Sequence, residues 1–99
     1  MQAAVHAWIG QWKEGYFHPL SNLARLTEEV GELAREINHR YGDKPKKATE
    51  DTGDLAQELG DILWVVAAIA NQTDVDLSTA FREVQQKLEE RDGDRFTRR

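Results

Sequence analysis

The chain contains no cysteine, which rules out a disulfide framework as the source of its stability. It has no run of alternating β-branched residues long enough for a strand, and no internal repeat or low-complexity tract. Its longest apolar run, Ile62 to Ala70, is about half the length a helix needs to cross a bilayer and reads as a buried helical segment. Nothing near the N-terminus resembles a charged, apolar, small-residue signal, so the expected compartment is the cytoplasm. Positive charge is in deficit: 13 Lys plus Arg against 18 Asp plus Glu leave a net charge of −5. That balance disfavours general binding to nucleic acid or anionic membranes, and neither partner is expected. What remains is one all-α domain over residues 1–99. At this size about 60–65% of the unfolded surface is buried on folding, and so small a core invites oligomerisation.

Apolar periodicity predicts four helices. Val5, Trp8, Ile9 and Trp12 mark a short first helix, ended near Gly15. A second starts near Pro19, with Ser21 as an alternative cap, and runs through Leu23, Leu26, Val30, Leu33 and Ile37 to a stop at Gly42. Residues 43–53 hold Pro45, Gly53 and three lysines without apolar periodicity, and read as a connecting loop. The third helix carries Leu55, Leu59, Ile62, Leu63, Val66 and Ile69 and closes at Asn71 to Asp74. Asp76 caps a fourth, with Leu77, Phe81, Val84 and Leu88 as its stripe, which ends before Asp92-Gly93-Asp94. The expected architecture is a four-helix-type bundle in which the second and third helices pair antiparallel.

Charge is concentrated where it is costly. Glu29-Val30-Gly31-Glu32 and Glu58-Leu59-Gly60-Asp61 are pairs of acids at i,i+3 set among apolar residues. At about 100° per residue, both members of each pair point the same way. Glu28, at i+4 to Glu32, widens the first acidic face, and Asp54, Glu58 and Asp61 form a stripe with almost no cation on their helix. Two such faces brought together repel unless a cation stands between them. An all-oxygen cluster suits Mg²⁺, or Mn²⁺, better than zinc. The ordinary alternative for each pair is a solvated helix face.

These acids, together with Lys13-Glu14-Gly15-Tyr16-Phe17, Ala24-Arg25-Leu26-Thr27-Glu28-Glu29, Asn38-His39-Arg40-Tyr41-Gly42, residues 44–51 and Arg91-Asp92, resemble the MazG-like nucleotide pyrophosphohydrolases. That all-α superfamily is marked by Glu-x-x-Glu, a variable gap and Glu-x-x-Asp. The likeness is greatest to its short YpjD-like branch and covers nearly the whole chain, with a shorter connection before the third helix. The resemblance implies hydrolysis of a nucleoside triphosphate between the α- and β-phosphates, nucleotide-pool house-cleaning, and a homodimer or homotetramer. It further implies that Glu29, Glu32, Glu58 and Asp61 hold Mg²⁺ or Mn²⁺ and, with Glu28, make up the catalytic set. A spare carboxylate accepts the proton of the attacking water, and Glu28 is placed for that or for outer support of the ligands. The competing reading is a nucleotide-binding regulatory module with slow turnover or none.

Substrate contacts are sought among cations and flat side chains. Lys87, Arg91 at i+4 and Arg95 form a basic stripe suited to phosphates. Pairing with Glu83, Glu90 or another subunit, worth about 0–1 kcal/mol each, is the alternative. Trp12 and Phe17 are the stacking surface for a base, with core packing as the other role for Trp12 and the expected role for Trp8. Trp64 either roofs the site or packs a helix interface. Asn71 either donates to substrate or caps a helix end. Lys44, Lys46 and Lys47 read as solvated loop residues. Glu36-x-x-His39 raises the idea of a di-iron bundle, but neither His6 nor His18 has a Glu three positions earlier to make the second copy. His39 is then a helix-end residue or a base contact.

Overall fold

Local signals set each helix boundary in the computed structural model, which describes residues 1–42, 55–97 and 99. Helix α1 spans Gln2–Gly10, α2 Pro19–Tyr41, α3 Leu55–Gln72 and α4 Leu77–Asp92, and no strand occurs among the described residues. The predicted connecting loop, with its three lysines, and Asp54 lie outside the described residues.

Pro19 occupies the first turn of α2, where its missing N–H has no partner to lose. His18, rather than Ser21, is the cap: its Nδ1 accepts the Leu20 N–H at 3.1 Å. Asp76 caps α4 as expected, accepting the Ser78 N–H at 3.0 Å and the Thr79 hydroxyl at 3.2 Å. Helix α1 stops sooner than the apolar pattern predicts. The Trp12 N–H bonds back to the Ile9 carbonyl and the Gly15 N–H to the Trp12 carbonyl, both at 3.2 Å, so the chain leaves the helix through tight turns. Gly15, at φ 65°, takes the left-handed conformation open to glycine. Trp12 therefore stands on a turn.

The most extensive packing is between α2 and α3. Asn22 near the start of α2 bonds Gln72 at the end of α3, while the Glu32 carboxylate further along α2 lies within 4.8 Å of that of Glu58 near the start of α3. The two helices therefore run antiparallel, as expected. The core is small: Val5 and Ile9 from α1 meet Ala67 and Ala68 from α3, with Tyr16, Trp64 and Leu77 packed around them. Trp8 is not part of it. Its side chain is 54% exposed, because the inward positions of α1 fall to Val5 and Ile9.

Helix α4 has no buried residue. Leu77 at its base touches the core, but Phe81, Val84 and Leu88 remain exposed, so the fourth helix of the expected bundle does not close over the other three within one chain. The radius of gyration is 17.4 Å, against about 13 Å for a compact domain of this length. No helix of the described residues is long and apolar enough to cross a membrane.

Candidate active site

Three of the four motif acids converge. Glu29, Glu32 and Glu58 each place a carboxylate oxygen within 4.8 Å of the others', because the i,i+3 pair of α2 faces the first turn of α3. Glu32 is exposed while Glu29 and Glu58 are half-buried, each with Oε2 enclosed and without a hydrogen-bond partner among the described residues. Such atoms are costly to leave unpaired. The Glu29 carboxyl is raised above its ordinary 4.5, first by loss of water, then by the charges of Glu32 and Asp61, against the opposing charge of Arg25. Glu58 is raised from the same value, first by loss of water and then by the close approach of the Glu32 carboxyl. Hard oxygens, mutual repulsion and two enclosed unpartnered oxygens fit a divalent cation.

Asp61 lies outside this tight trio. It is half-buried one turn along α3, near enough for its charge to raise both Glu29 and Glu58. Glu28 is exposed, and its charge also acts on Glu29.

Next to the acids opens a cavity of about 780 Å³ between α1, its following turns, α2 and α3. Its walls carry Trp8, Trp12, Phe17 and Trp64, and Asp61 lines it, so cavity and acid cluster adjoin. Trp8 and Trp12 meet edge to face, with centroids 5.6 Å apart. Trp64 combines the roles expected as alternatives, packing on the core and walling the cavity. The Arg25 guanidinium carbon sits over the Trp64 ring, 5.4 Å from its centroid. Phe17 is held through its backbone: buried Asn22 donates to Gln72 Oε1 at 2.9 Å, and Gln72 Nε2 donates to the Phe17 carbonyl at 2.6 Å.

Other candidates stand elsewhere. Asn71 exchanges hydrogen bonds with Gln2, donating to its carbonyl and accepting from its side chain, both at 3.0 Å, and does not line the cavity. Lys87 and Arg91 are exposed on α4 and Arg95 just after it; Arg91 and Arg95 pair with Asp92 at 2.8 and 3.5 Å. His39 is half-buried near the end of α2. Sequence reasoning passed over Arg25 and Gln72. Arg25 falls four residues before Glu29, on the same helix face, a signal readable from spacing alone; Gln72 gives no periodic signal.

Comparison with known proteins identifies the family of the chain. The MazG nucleotide pyrophosphohydrolase domain matches residues 17–96. The YpjD protein of Bacillus subtilis (strain 168) is 57% identical over 99 residues, covering 100% of this chain and 89% of that protein. Gene 37 protein of Mycobacterium phage L5 is 43% identical over 67 residues, covering 67% of this chain and 59% of that protein. Among solved structures, that of YPJD from Bacillus subtilis superposes with a TM-score of 0.77 at 58% identity, covering 87% of this chain and 88% of that one. The Bacillus-conserved MazG protein, a nucleotide pyrophosphohydrolase, also gives 0.77, at 51% identity over 95% and 90% of the two chains. Both solved structures superpose on the four-helix plan of the described residues, and the chain belongs to the MazG nucleotide pyrophosphohydrolase family.

Proposed function

We propose that the chain is a Mg²⁺-dependent nucleoside triphosphate pyrophosphohydrolase, with Mn²⁺ as an alternative ion, that cleaves ribo- or deoxyribonucleoside triphosphates to monophosphate and pyrophosphate. The observation that carries this reading is the convergence of Glu29, Glu32 and Glu58 within 4.8 Å beside an aromatic cavity. House-cleaning of the nucleotide pool in the cytoplasm is the matching role.

In this reading Glu29, Glu32, Glu58 and Asp61 hold the ion. A divalent cation there supplies neutralisation of phosphate charge and a more acidic water. The chain's own residues do the rest. Trp12, Phe17 and Trp64 offer flat surfaces to the base, and the adjoining acids fix where the phosphates lie. Water attacks the α-phosphorus, the bond to the β-phosphate oxygen breaks, and pyrophosphate leaves. Glu28, exposed beside the cluster, is the carboxylate left over to accept the water's proton.

Assembly into a homodimer or homotetramer belongs to the same reading. Leu20, Leu23, Thr27, Val30, Ala34, Ile37 and Tyr41 recur along α2 at alternating spacings of three and four, and all are exposed. That is the seam of a helix pair, and identical seams on two copies match each other. Lys87, Arg91 and Arg95 are then available to phosphates across a subunit boundary.

The test is a panel of standard and modified ribo- and deoxyribonucleoside triphosphates with Mg²⁺ or Mn²⁺, resolving monophosphate, diphosphate, phosphate and pyrophosphate. Monophosphate plus pyrophosphate, lost in Glu32→Gln and Asp61→Asn, is the expected result. Saturable nucleotide binding without product would instead make the chain a regulatory module.

A further inference from the structure

An arginine four residues before a glutamate on a helix lies within reach of an ion pair with it. Arg25 does not close one. Its guanidinium carbon lies over Trp64, 5.4 Å from the ring centroid, and the group makes no hydrogen bond or ion pair with any described residue. Other arginines are engaged: Arg40 with Glu36 at 3.4 Å, Arg91 and Arg95 with Asp92. Arg25 is half-buried, and among the described residues lining the aromatic cavity it is the one cation. An aromatic face steadies the planar cation without using its N–H donors, which stay available to an oxyanion in a forked geometry.

The charge balance at this spot is lopsided. Glu29, Glu32, Glu58 and Asp61 gather four acids, and a triphosphate brings about four more negative charges. A metal ion offsets part of that sum. Arg25 stands between the acids and the aromatic wall, near enough to Glu29 to act on its charge while stacked on Trp64. A nucleotide with its base in the cavity and its phosphates at the acids passes this guanidinium.

We infer that Arg25 binds a phosphate of the nucleotide, its guanidinium held ready over Trp64 in the cavity wall. The inference rests on reading the cavity as a nucleotide site and adds the cation that the four acids lack. It makes Arg25 a substrate-binding residue and Trp64 its positioning residue.

Calorimetric titration tests it with three probes in the presence of Mg²⁺: an α,β-methylene analogue of the best triphosphate, inorganic pyrophosphate, and the parent nucleoside. Arg25→Gln should weaken the analogue by about tenfold or more, the loss expected when a charge-assisted hydrogen bond is removed. It should weaken pyrophosphate too and leave the nucleoside within about twofold. Arg25→Lys, which keeps the charge and guards against misfolding, should recover part of the loss, with thermal melts confirming that both variants fold. An equal loss for nucleoside and analogue would reduce Arg25 to a prop for Trp64 and overturn the inference. An unchanged analogue affinity in a wild-type chain that binds nucleotide would overturn it while leaving the proposed function standing. Failure of the wild-type chain to bind any triphosphate would overturn both.

Discussion

Glu32 on α2 and Glu58 on α3 bring carboxylate oxygens within 4.8 Å of each other. Two ionised carboxylates at that separation repel, and a proton or a cation between them relieves the repulsion. A cation binding there therefore competes with protons for the same oxygens. Titrating Mg²⁺ or Mn²⁺ into the protein in buffers of different ionisation enthalpy should show net proton release, and metal affinity should climb as pH rises above 4.5, the ordinary carboxyl value. Binding with no proton release at any pH would place the ion elsewhere.

Folding stability should carry the same signature. Glu29 and Glu58 are both raised above 4.5, so above that pH the unfolded chain gives up these protons before the folded one does. Their contribution is fully present below 4.5 and is lost as pH rises through their folded values. The metal-free melting temperature of the wild type should fall over that window by more than that of Glu58→Gln. Near neutral pH the variant should be the more stable of the two without metal, yet inactive. Thermal melts with chelator present would reveal this, and parallel curves for the two proteins would refute it.

The polar tie behind Phe17 should be costly to break. Asn22 is 4% exposed, and Gln72→Ala removes its hydrogen-bond acceptor while freeing the Phe17 carbonyl. Leaving a buried amide unpaired costs about 1–3 kcal/mol. Urea unfolding should show that loss, and KM should rise as the cavity wall loosens.

Two tryptophans should separate binding from stability. Trp12 is 52% exposed on its turn, so Trp12→Ala should raise KM by roughly five- to a hundredfold, the span of a base-stacking contact, with little change in melting. Trp64 also packs on the core. Trp64→Ala should therefore lower stability as well, by up to about 3 kcal/mol given its partial burial.

The α2 seam can be probed at Val30, whose side chain is 48% exposed in the single chain. A lysine there costs an isolated monomer within about 0.5 kcal/mol, but it puts like charges face to face in a symmetric helix pair. Val30→Lys should lower the assembly state measured by multi-angle light scattering while far-UV dichroism keeps its helical form. An unchanged mass would remove α2 from the interface.

The legible parts of this fold were those written in periodicity and caps. Pro19, Gly42 and Asp76 bound their helices as expected, and the paired acids announced a face shared by α2 and α3. Less legible was anything that depends on which surface a stripe meets. The apolar positions of α4 read as core but stay exposed in one chain, because periodicity tells that a face seeks cover and not whose. Trp8 and Val5 look alike to a periodic count, and only packing sends Val5 inward. The Asn22–Gln72 tie joins two amides with no local signature, and Arg25 stacked on Trp64 depends on how closely α2 and α3 approach.

The Gln2 side chain donates to Asn71 at 3.0 Å and to the Val75 carbonyl at 2.7 Å, and accepts the Leu77 N–H at 2.7 Å. One amide thus pins the end of α3 and the root of α4 together. Helix α4 is a lever about 24 Å long, so a tilt of about 10° at that pin carries its basic tip about 4 Å. The second residue of the chain therefore aims the arginines at the far end, and shortening this amide would redirect them without touching them.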